Sequence, residues 1–439
     1  MTIDQLYNIY LQHPRVSTDS RQVEAGDLFF ALRGERFDGN QYAAQALEKG
    51  AAYAIVDDPD VALTDRTILV ENTLTTLQDL ARHHRRQFYI PVIAICGSNG
   101  KTTTKDLVSA VLSSRYPTHY TKGNFNNHIG VPLTLLAMPL KTEVAVIEIG
   151  ANHLGEVDLL CRIAEPTHGL ITNIGKEHLE GFGSLEGVKQ GESELYRYLA
   201  EQSGMAFINK DEDFLEELAA PVQKKLFYQQ TDQPEAASRI YGVQLLQAFP
   251  TVRAAFVDDS NERIEVHAQL FGKYNFSNIM TAIVLGRYFK VPSAKVKAAI
   301  EAYQPLSNRS QIKKIDDNTF ILDAYNANPS SMEQAIASFA EMTATSKVAI
   351  LGHMLELGDA SAEEHERIAH LALAQGFDQV VFVGEEFRAV AELPGATYFE
   401  NTAALREWFA AQRFQNTYFL LKGSRGIQLE KLLPAEIMH

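Results

Sequence analysis

The sequence predicts three α/β domains, and three observations carry that reading. Near-continuous apolar runs of strand length, such as PVIAIC and EVAVIEIG, suit parallel strands covered on both faces. Segments with helical periodicity separate these runs, as β-α-β winding requires. The alternation restarts twice along a chain of 439 residues, a length that accommodates more than one domain. The expected boundaries are 1–88, 89–304 and 305–439.

In the first unit, DLFFAL (27–32), AYAIV (52–56) and TILV (67–70) are the predicted strands. QYAAQALEKGA lies between the first two and reads as a helix ended by Gly50. A second helix is predicted over 74–87 and closes on the basic run RHHRR. Positive charge suits a helix C-terminus, so the run reads as a solvated helix end rather than a binding patch. A linker is expected at 89–91.

The middle unit has PVIAIC, EVAVIEIG, HGLITNIG and MAFINK as strands of a mostly parallel sheet. Residues 240–271 alternate more strictly between apolar and polar side chains, which predicts an antiparallel excursion. GKYNFSNIMTAIVLGRYFKVP then predicts a helix closed before Pro292. In the third unit TFILDAY, KVAILG, QVVFVG and TYFLLKGS are strands, spaced by helices of about 10–15 residues, the pattern of a Rossmann-like open sheet.

Bulk properties narrow the function. Hydrophobic residues make up 46% and charged residues 22%, as in an ordinary soluble globular protein. A net charge of −15 argues against a general nucleic-acid binder, which needs a basic face. Cys96 and Cys161 are the two cysteines, too few for a disulfide framework or a cysteine metal site. Cys96 reads as buried filler. With no basic leader and no apolar run near the roughly 20 residues of a membrane helix, a cytoplasmic monomer is expected.

One motif carries chemistry. CGSNGKTTTKDL follows the strand PVIAIC and opens a helix, the context of a phosphate-binding loop, here in a P-loop-type domain. Backbone amides of Gly97, Ser98, Asn99, Gly100 and Thr103 can approach phosphates at the positive helix end. Lys101 can bridge the outer phosphates, and the Thr102 hydroxyl can ligate Mg²⁺, a hard cation that takes oxygen. The usual pattern asks for glycine where Ile95 stands. Glu148 ends the strand EVAVIEIG, where a carboxylate reaches the crevice at the strand ends. His178 follows another strand, on a loop.

Together these segments resemble the Mur ligase family, over nearly the whole chain. The carriers are STDSRQVEAGDLFFALRGERFDGNQYAAQALEKGA, GSNGKTTTKDL, NFNNHIGVPLTLL, EIGANHLGEVDLL, HLEGFGSLEGV, DAYNANPSSM, LGHMLELG and LKGSRG. The resemblance places the loop at the family's own spacing, so Ile95 is a family habit. HLEGFGS, YNANP and LGHMLELG are similar to the branch that adds D-alanyl-D-alanine. That branch implies ATP and Mg²⁺ as cofactors, with UDP-N-acetylmuramoyl-tripeptide and D-alanyl-D-alanine as the reaction partners. The tripeptide carboxylate would take the γ-phosphate of ATP, and the amine of D-alanyl-D-alanine would displace it. Rival readings are a sibling or folylpolyglutamate-type carboxylate–amine ligase, and a non-catalytic binder of nucleotide or UDP-sugar.

By family position, Lys101, Glu148 and His178 would be catalytic, with Thr102, Glu148 and His178 serving metal. The family commonly carries a lysine, modified to a carbamate, where this chain has Glu192. Glu192 is expected to supply the acidic oxygen directly, against a modified Lys189 nearby. Asn275 would meet adenine, Arg309 phosphate, and Asp323 and Tyr325 the ribose and base. Asn326 and Asn328 would line the reacting end, while Lys422, Ser424 and Arg425 close from the third domain. Ser20, Arg21 and Asn40 would hold the uridine nucleotide in the first domain, with Asn126 and Asn127 between the two nucleotides. Tyr274 and His353 stand where the family often has His and Asp.

Overall fold

The computed structural model describes residues 1–62, 64–236, 239–305 and 308–434. Among the described residues the strands form sheets of four, nine and six, with one two-stranded hairpin. Each large sheet belongs to one of the expected units, so the three-domain α/β architecture holds. Leu306 and Ser307, at the predicted junction of the second and third units, lie outside the described residues, as do 435–439.

The first unit holds α1 (Ile3–Gln12), β1 (Val16–Ser17), β2 (Leu28–Phe30), the hairpin β3 (Arg33–Gly34) and β4 (Phe37–Asp38), α2 (Ala43–Glu48), β5 (Tyr53–Val56), β6 (Thr67–Leu69) and α3 (Thr73–Arg85). Its sheet is parallel in the order β1-β2-β5-β6. Gly50 follows α2 at φ +111°, a backbone conformation that favours a residue without Cβ.

The basic run does not behave as predicted. His84 and Arg85 are buried against the middle domain. Arg85 donates to the carbonyls of Ala164 at 3.0 Å, Phe88 at 2.7 Å and Glu165 at 3.0 Å. Arg82 and Arg86 converge on the Glu165 carboxylate at 2.8 and 2.7 Å. His84 bridges the Tyr7 hydroxyl and the Met138 carbonyl. The run is a latch between domains; sequence pattern saw its charge but not the carbonyls waiting opposite.

The middle unit runs β7 (Val92–Cys96), α4 (Lys101–Ser113), β8 (Thr118–Tyr120), α5 (Gly130–Leu136), β9 (Val144–Glu148), α6 (Glu156–Ala164) and β10 (His168–Ile171). It continues through α7 (Leu179–Phe182), α8 (Leu185–Glu192), α9 (Glu194–Glu201), β11 (Met205–Asn209), α10 (Leu215–Leu218) and β12 (Lys224–Gln230). β13 (Ile240–Gln247), β14 (Arg253–Val257), β15 (Arg263–His267), α11 (Tyr274–Tyr288) and α12 (Ser293–Ala302) complete it. The antiparallel excursion is present: β13–β14 and β14–β15 pair antiparallel, and β13 joins β12 in parallel, giving one continuous nine-stranded sheet. All five residues of β7 and of β9 are buried, which explains why both read as unbroken apolar runs. Cys96 and Cys161 are buried in this core, as expected for filler.

The third unit holds β16 (Gln311–Ile315), β17 (Asn318–Asp323), α13 (Pro329–Glu341), β18 (Ser346–Gly352), α14 (Ser361–Leu373), β19 (Gln379–Val383), β20 (Ala396–Phe399), α15 (Thr402–Ala411) and β21 (Thr417–Lys422). The order is β16-β17-β21-β18-β19-β20, parallel except for the antiparallel edge strand β16. The strands missed from sequence are short or polar: β12 (KKLFYQQ) and β16 (QIKKI) carry few apolar residues and little fully buried surface.

Candidate active site

The order β10-β7-β9 places three carboxyl ends side by side in the nine-stranded sheet, one strand in from its β8 edge. The phosphate loop leaves β7, Glu148 ends β9, and the segment to His178 leaves β10. After β9 the chain crosses β7 to reach β10, so this is a topological switch point, where open α/β sheets bind ligands. The carboxyl ends of β17 and β21 face it from the third domain. A cleft of about 480 Å³ lies between the two domains.

Gly97 and Gly100 take φ of +114° and +80°, and Gly100 leads directly into α4. A Cβ on Gly100 would meet Asn278 Oδ1 at 2.5 Å, so the loop packs where only glycine fits. Lys101 folds back over the loop, donating to the carbonyls of Gly97 and Ser98 and to Glu177 at 3.3 Å. Burial disfavours its charge, yet the carboxylates of Glu177, Glu192 and Glu148 outweigh burial and hold the ammonium above the usual lysine range.

Glu148 is buried. Its Oε1 accepts from the Thr102 hydroxyl at 3.1 Å and from Asn126 at 2.8 Å. Its Oε2 is buried without a hydrogen-bond partner, and the Lys105 ammonium, itself buried, stands 4.0 Å away. An orphaned carboxylate oxygen beside a threonine hydroxyl is the donor set of a hard cation, so Thr102 and Glu148 fit Mg²⁺.

Of the remaining two expected metal residues, His178 lines the same cleft and Glu192 does not. His178 pairs through Nδ1 with Glu356 of the third domain at 2.5 Å. Burial opposes its protonation, but Glu356 and Glu177 raise its pKa above the usual histidine value. Glu192 is fully buried behind the loop, accepts from the Gly97 amide at 2.7 Å, and does not line the cleft. Burial and the charge of Glu177 push its carboxyl up to about 7. Among the described residues no three His, Cys, Asp or Glu side chains gather at metal-binding spacing. Lys189 points elsewhere, over the Phe214 ring at 3.7 Å and toward Glu186 at 3.4 Å.

Most other expected residues do meet. Ser98, Asn99, Thr103, Asn126, Asn127 and Asn275 line the cleft from the middle domain. Arg309, Asp323, Tyr325, Asn326, Asn328 and Lys422 line it from the third. Asn275 sits in the first turn of α11 and donates to the Phe271 carbonyl at 2.7 Å, accepting from Asn278 at 2.9 Å. Arg309 stacks on the Tyr325 ring at 3.7 Å, and Arg425 approaches the same ring at 5.1 Å. Asp323 and Lys422 are register partners on β17 and β21 and pair at 2.8 Å. Tyr274 lines the cleft, its hydroxyl 2.8 Å from Ser310 Oγ.

Some expectations find different employment. Ser424 is buried and its hydroxyl accepts from the Leu355 amide at 3.2 Å, so it shapes the LGHMLELG loop rather than lining the cleft. Asn40 is buried and spends its amide on Asp38 and Asp57. Ser20 is buried and Arg21 pairs with Asp19 at 2.9 Å, both in the first domain, where the uridine nucleotide is expected. Glu177 was missed. It is buried, lines the cleft and touches the loop lysine. A glutamate beside a histidine on an irregular segment has no periodicity to mark it.

Comparison with known proteins follows the same outline. The Mur ligase family catalytic domain matches residues 14–85, the Mur ligase middle domain 95–286, and the Mur ligase glutamate ligase domain 308–425. UDP-N-acetylmuramoyl-tripeptide--D-alanyl-D-alanine ligase of Bacillus subtilis (strain 168) is 34% identical over 429 residues, 95% of this chain and 92% of that protein. The protein of the same description from Escherichia coli (strain K12) is 33% identical, covering 96% and 93%. The crystal structure of MurF from Acinetobacter baumannii is similar at a TM-score of 0.86 and 30% identity, over 100% of this chain and 98% of that one.

Proposed function

The chain belongs to the Mur ligase family, and from that premise we propose that it is the ATP-dependent ligase that joins D-alanyl-D-alanine to UDP-N-acetylmuramoyl-tripeptide in peptidoglycan precursor synthesis. One observation carries the reading. Lys101, Thr102, Glu148 and His178 converge from adjacent strand ends in a cleft that the third domain covers.

The chemical problem is to bring two anions together. At an effective dielectric of 20, two unit charges 4 Å apart repel by about 4 kcal/mol. The Lys101 ammonium and the loop amides offset that repulsion and the charge on the transferring phosphoryl group. Thr102 and Glu148, whose Oε2 has no other hydrogen-bond partner, would hold Mg²⁺. When bound, the ion neutralises phosphate charge and fixes the phosphate chain. Arg309 and Tyr325, lining the cleft from the third domain, would meet the nucleotide, and Asn326 and Asn328 would lie at the reacting end. The carboxylate takes the γ-phosphoryl group, giving an acyl phosphate and ADP. The free amine of D-alanyl-D-alanine then attacks the acyl carbon; phosphate leaves and an amide remains. The covered cleft limits hydrolysis of the acyl phosphate.

The enzyme is proposed to work as a monomer. No helix among the described residues is long and apolar enough to cross a membrane, and a nucleotide-linked substrate with ATP fits work in the cytoplasm. The reading is tested by trapping. With the UDP-linked tripeptide and Mg·ATP but no D-alanyl-D-alanine, hydroxylamine should capture the activated carboxylate as a hydroxamate. ATP turnover with no hydroxamate would count against it.

A further inference from the structure

The segment that leaves β10 alternates between two jobs. Asn173 accepts from the Asn99 amide at 3.0 Å, the Gly175 amide donates to Ser98 Oγ at 2.8 Å, and Glu177 accepts from Lys101 at 3.3 Å. All three contacts are to the phosphate loop. Lys176, His178 and Glu180 meet the third domain. The Lys176 amide donates to Ser330 Oγ at 2.7 Å, and its ammonium pairs with the buried Glu364. His178 pairs with Glu356 at 2.5 Å, and the Glu180 amide donates to the Glu356 carbonyl at 3.2 Å. Gly358 packs on Glu180, with its Cβ position 3.4 Å from Glu180 Cα. One short segment thus touches the phosphate loop through Asn173, Gly175 and Glu177 and the third domain through Lys176, His178 and Glu180.

We propose that residues 173–180 are the element through which docking of the third domain sets Lys101, with Glu177 as the positioning residue. The proposal rests on the ligase reading and adds a role to a residue outside the expected site. Lys101 cannot serve Glu177, two loop carbonyls and an incoming triphosphate together. Glu177 therefore competes with nucleotide for the ammonium. Its buried Oε1 has no hydrogen-bond partner, and its Oε2 faces Lys101 at 3.3 Å and His178 Nε2 at 3.8 Å, so Lys101 is the nearer counter-charge. With the third domain docked, Lys176 and His178 fix the backbone on both sides of Glu177, and the carboxylate directs the ammonium. Without docking, neither flank is held.

The test separates binding from turnover. Calorimetry with Mg·ATP should find Glu177→Gln binding about three- to tenfold tighter than wild type, since a competing carboxylate is gone. Its kcat should fall about tenfold or more, because Lys101 is no longer directed. Glu356→Gln, on a half-exposed side chain, should lower kcat several-fold at unchanged Mg·ATP affinity. The double variant should lose little more than Glu177→Gln alone, as residues on one route do. Unchanged or weaker nucleotide binding by Glu177→Gln, or kcat losses that multiply, would overturn the proposal. Should Glu177→Gln fold poorly, Glu356→Gln decides: unchanged kcat overturns it. The affinity result does not require ligation. A wild type that binds ATP but joins no peptides would sink the ligase reading and leave the Glu177–Lys101 competition measurable.

Discussion

Asn328 donates its side-chain amide to the side-chain Oδ1 of Asn99 at 2.9 Å, tying the cap of a third-domain helix to the phosphate loop of the middle domain. The same Asn328 accepts from the Ser331 amide at 2.8 Å and so caps α13. The two roles separate by substitution. Asn328→Asp keeps the cap but replaces the donor with a carboxylate facing Asn99 Oδ1. It should lower kcat several-fold with little change in thermal stability. Asn328→Ala loses both, and should also cost about 1 kcal/mol in unfolding free energy. Denaturant melts beside steady-state kinetics check both.

Glu192 and Lys189 make opposite predictions. Glu192 is buried against the Gly97 amide, whereas Lys189 lies over an aromatic ring away from the cleft. Glu192→Gln should reduce kcat at least about tenfold, since it changes the charge directly behind the loop. Lys189→Ala should stay within about twofold of wild type. Loss of activity in the lysine variant alone would reverse the assignment.

Arg85→Met should destabilise the protein by about 2–4 kcal/mol, because three carbonyls lose a charged donor inside a domain junction. Urea unfolding followed by fluorescence should show an early transition as the first domain detaches. A fully solvated helix end would give a change under about 0.5 kcal/mol.

His168 supplies a pH prediction. Burial among Phe207, Tyr288 and Phe289, with the nearby Lys224 charge, pushes its pKa down to about 4. Its unfolded value is near 6.5, so between about pH 6.5 and 4 the unfolded chain binds more protons. The stability contribution is full above 6.5 and is lost as pH falls toward 4. His84, His119 and His365 shift the same way, so the wild-type slope is shared. His168→Phe should remove its own part, and the melting-temperature gap between variant and wild type should move in favour of the variant as pH falls from 7 to 4.5. A constant gap would contradict this.

Much of this was legible in the sequence, for physical reasons that differ by residue. Parallel strands buried on both faces must be apolar throughout, so β7 and β9 announced themselves. Lys101, Thr102 and Glu148 were found because a phosphate loop and a strand end fix their place. Glu177 and Arg85 were not, because their roles come from what the tertiary fold sets opposite them. Glu192 was located by register, but its burial behind the loop was not visible in a one-dimensional pattern. Asn40 and Ser424 look like polar ligand groups in sequence, and the fold also bonds them to neighbouring loops, at Asp57 and at the Leu355 amide.

The account stands or falls on product analysis. Purified protein given UDP-N-acetylmuramoyl-tripeptide, D-alanyl-D-alanine and Mg·ATP should form the extended peptide, detected by mass, and phosphate in equal amounts. Omission of either peptide should stop product formation, and Lys101→Ala or Glu148→Gln should slow it by about a hundredfold or more. ATP left intact, or ATP consumed at the same rate without the peptides and with no new amide, would contradict it.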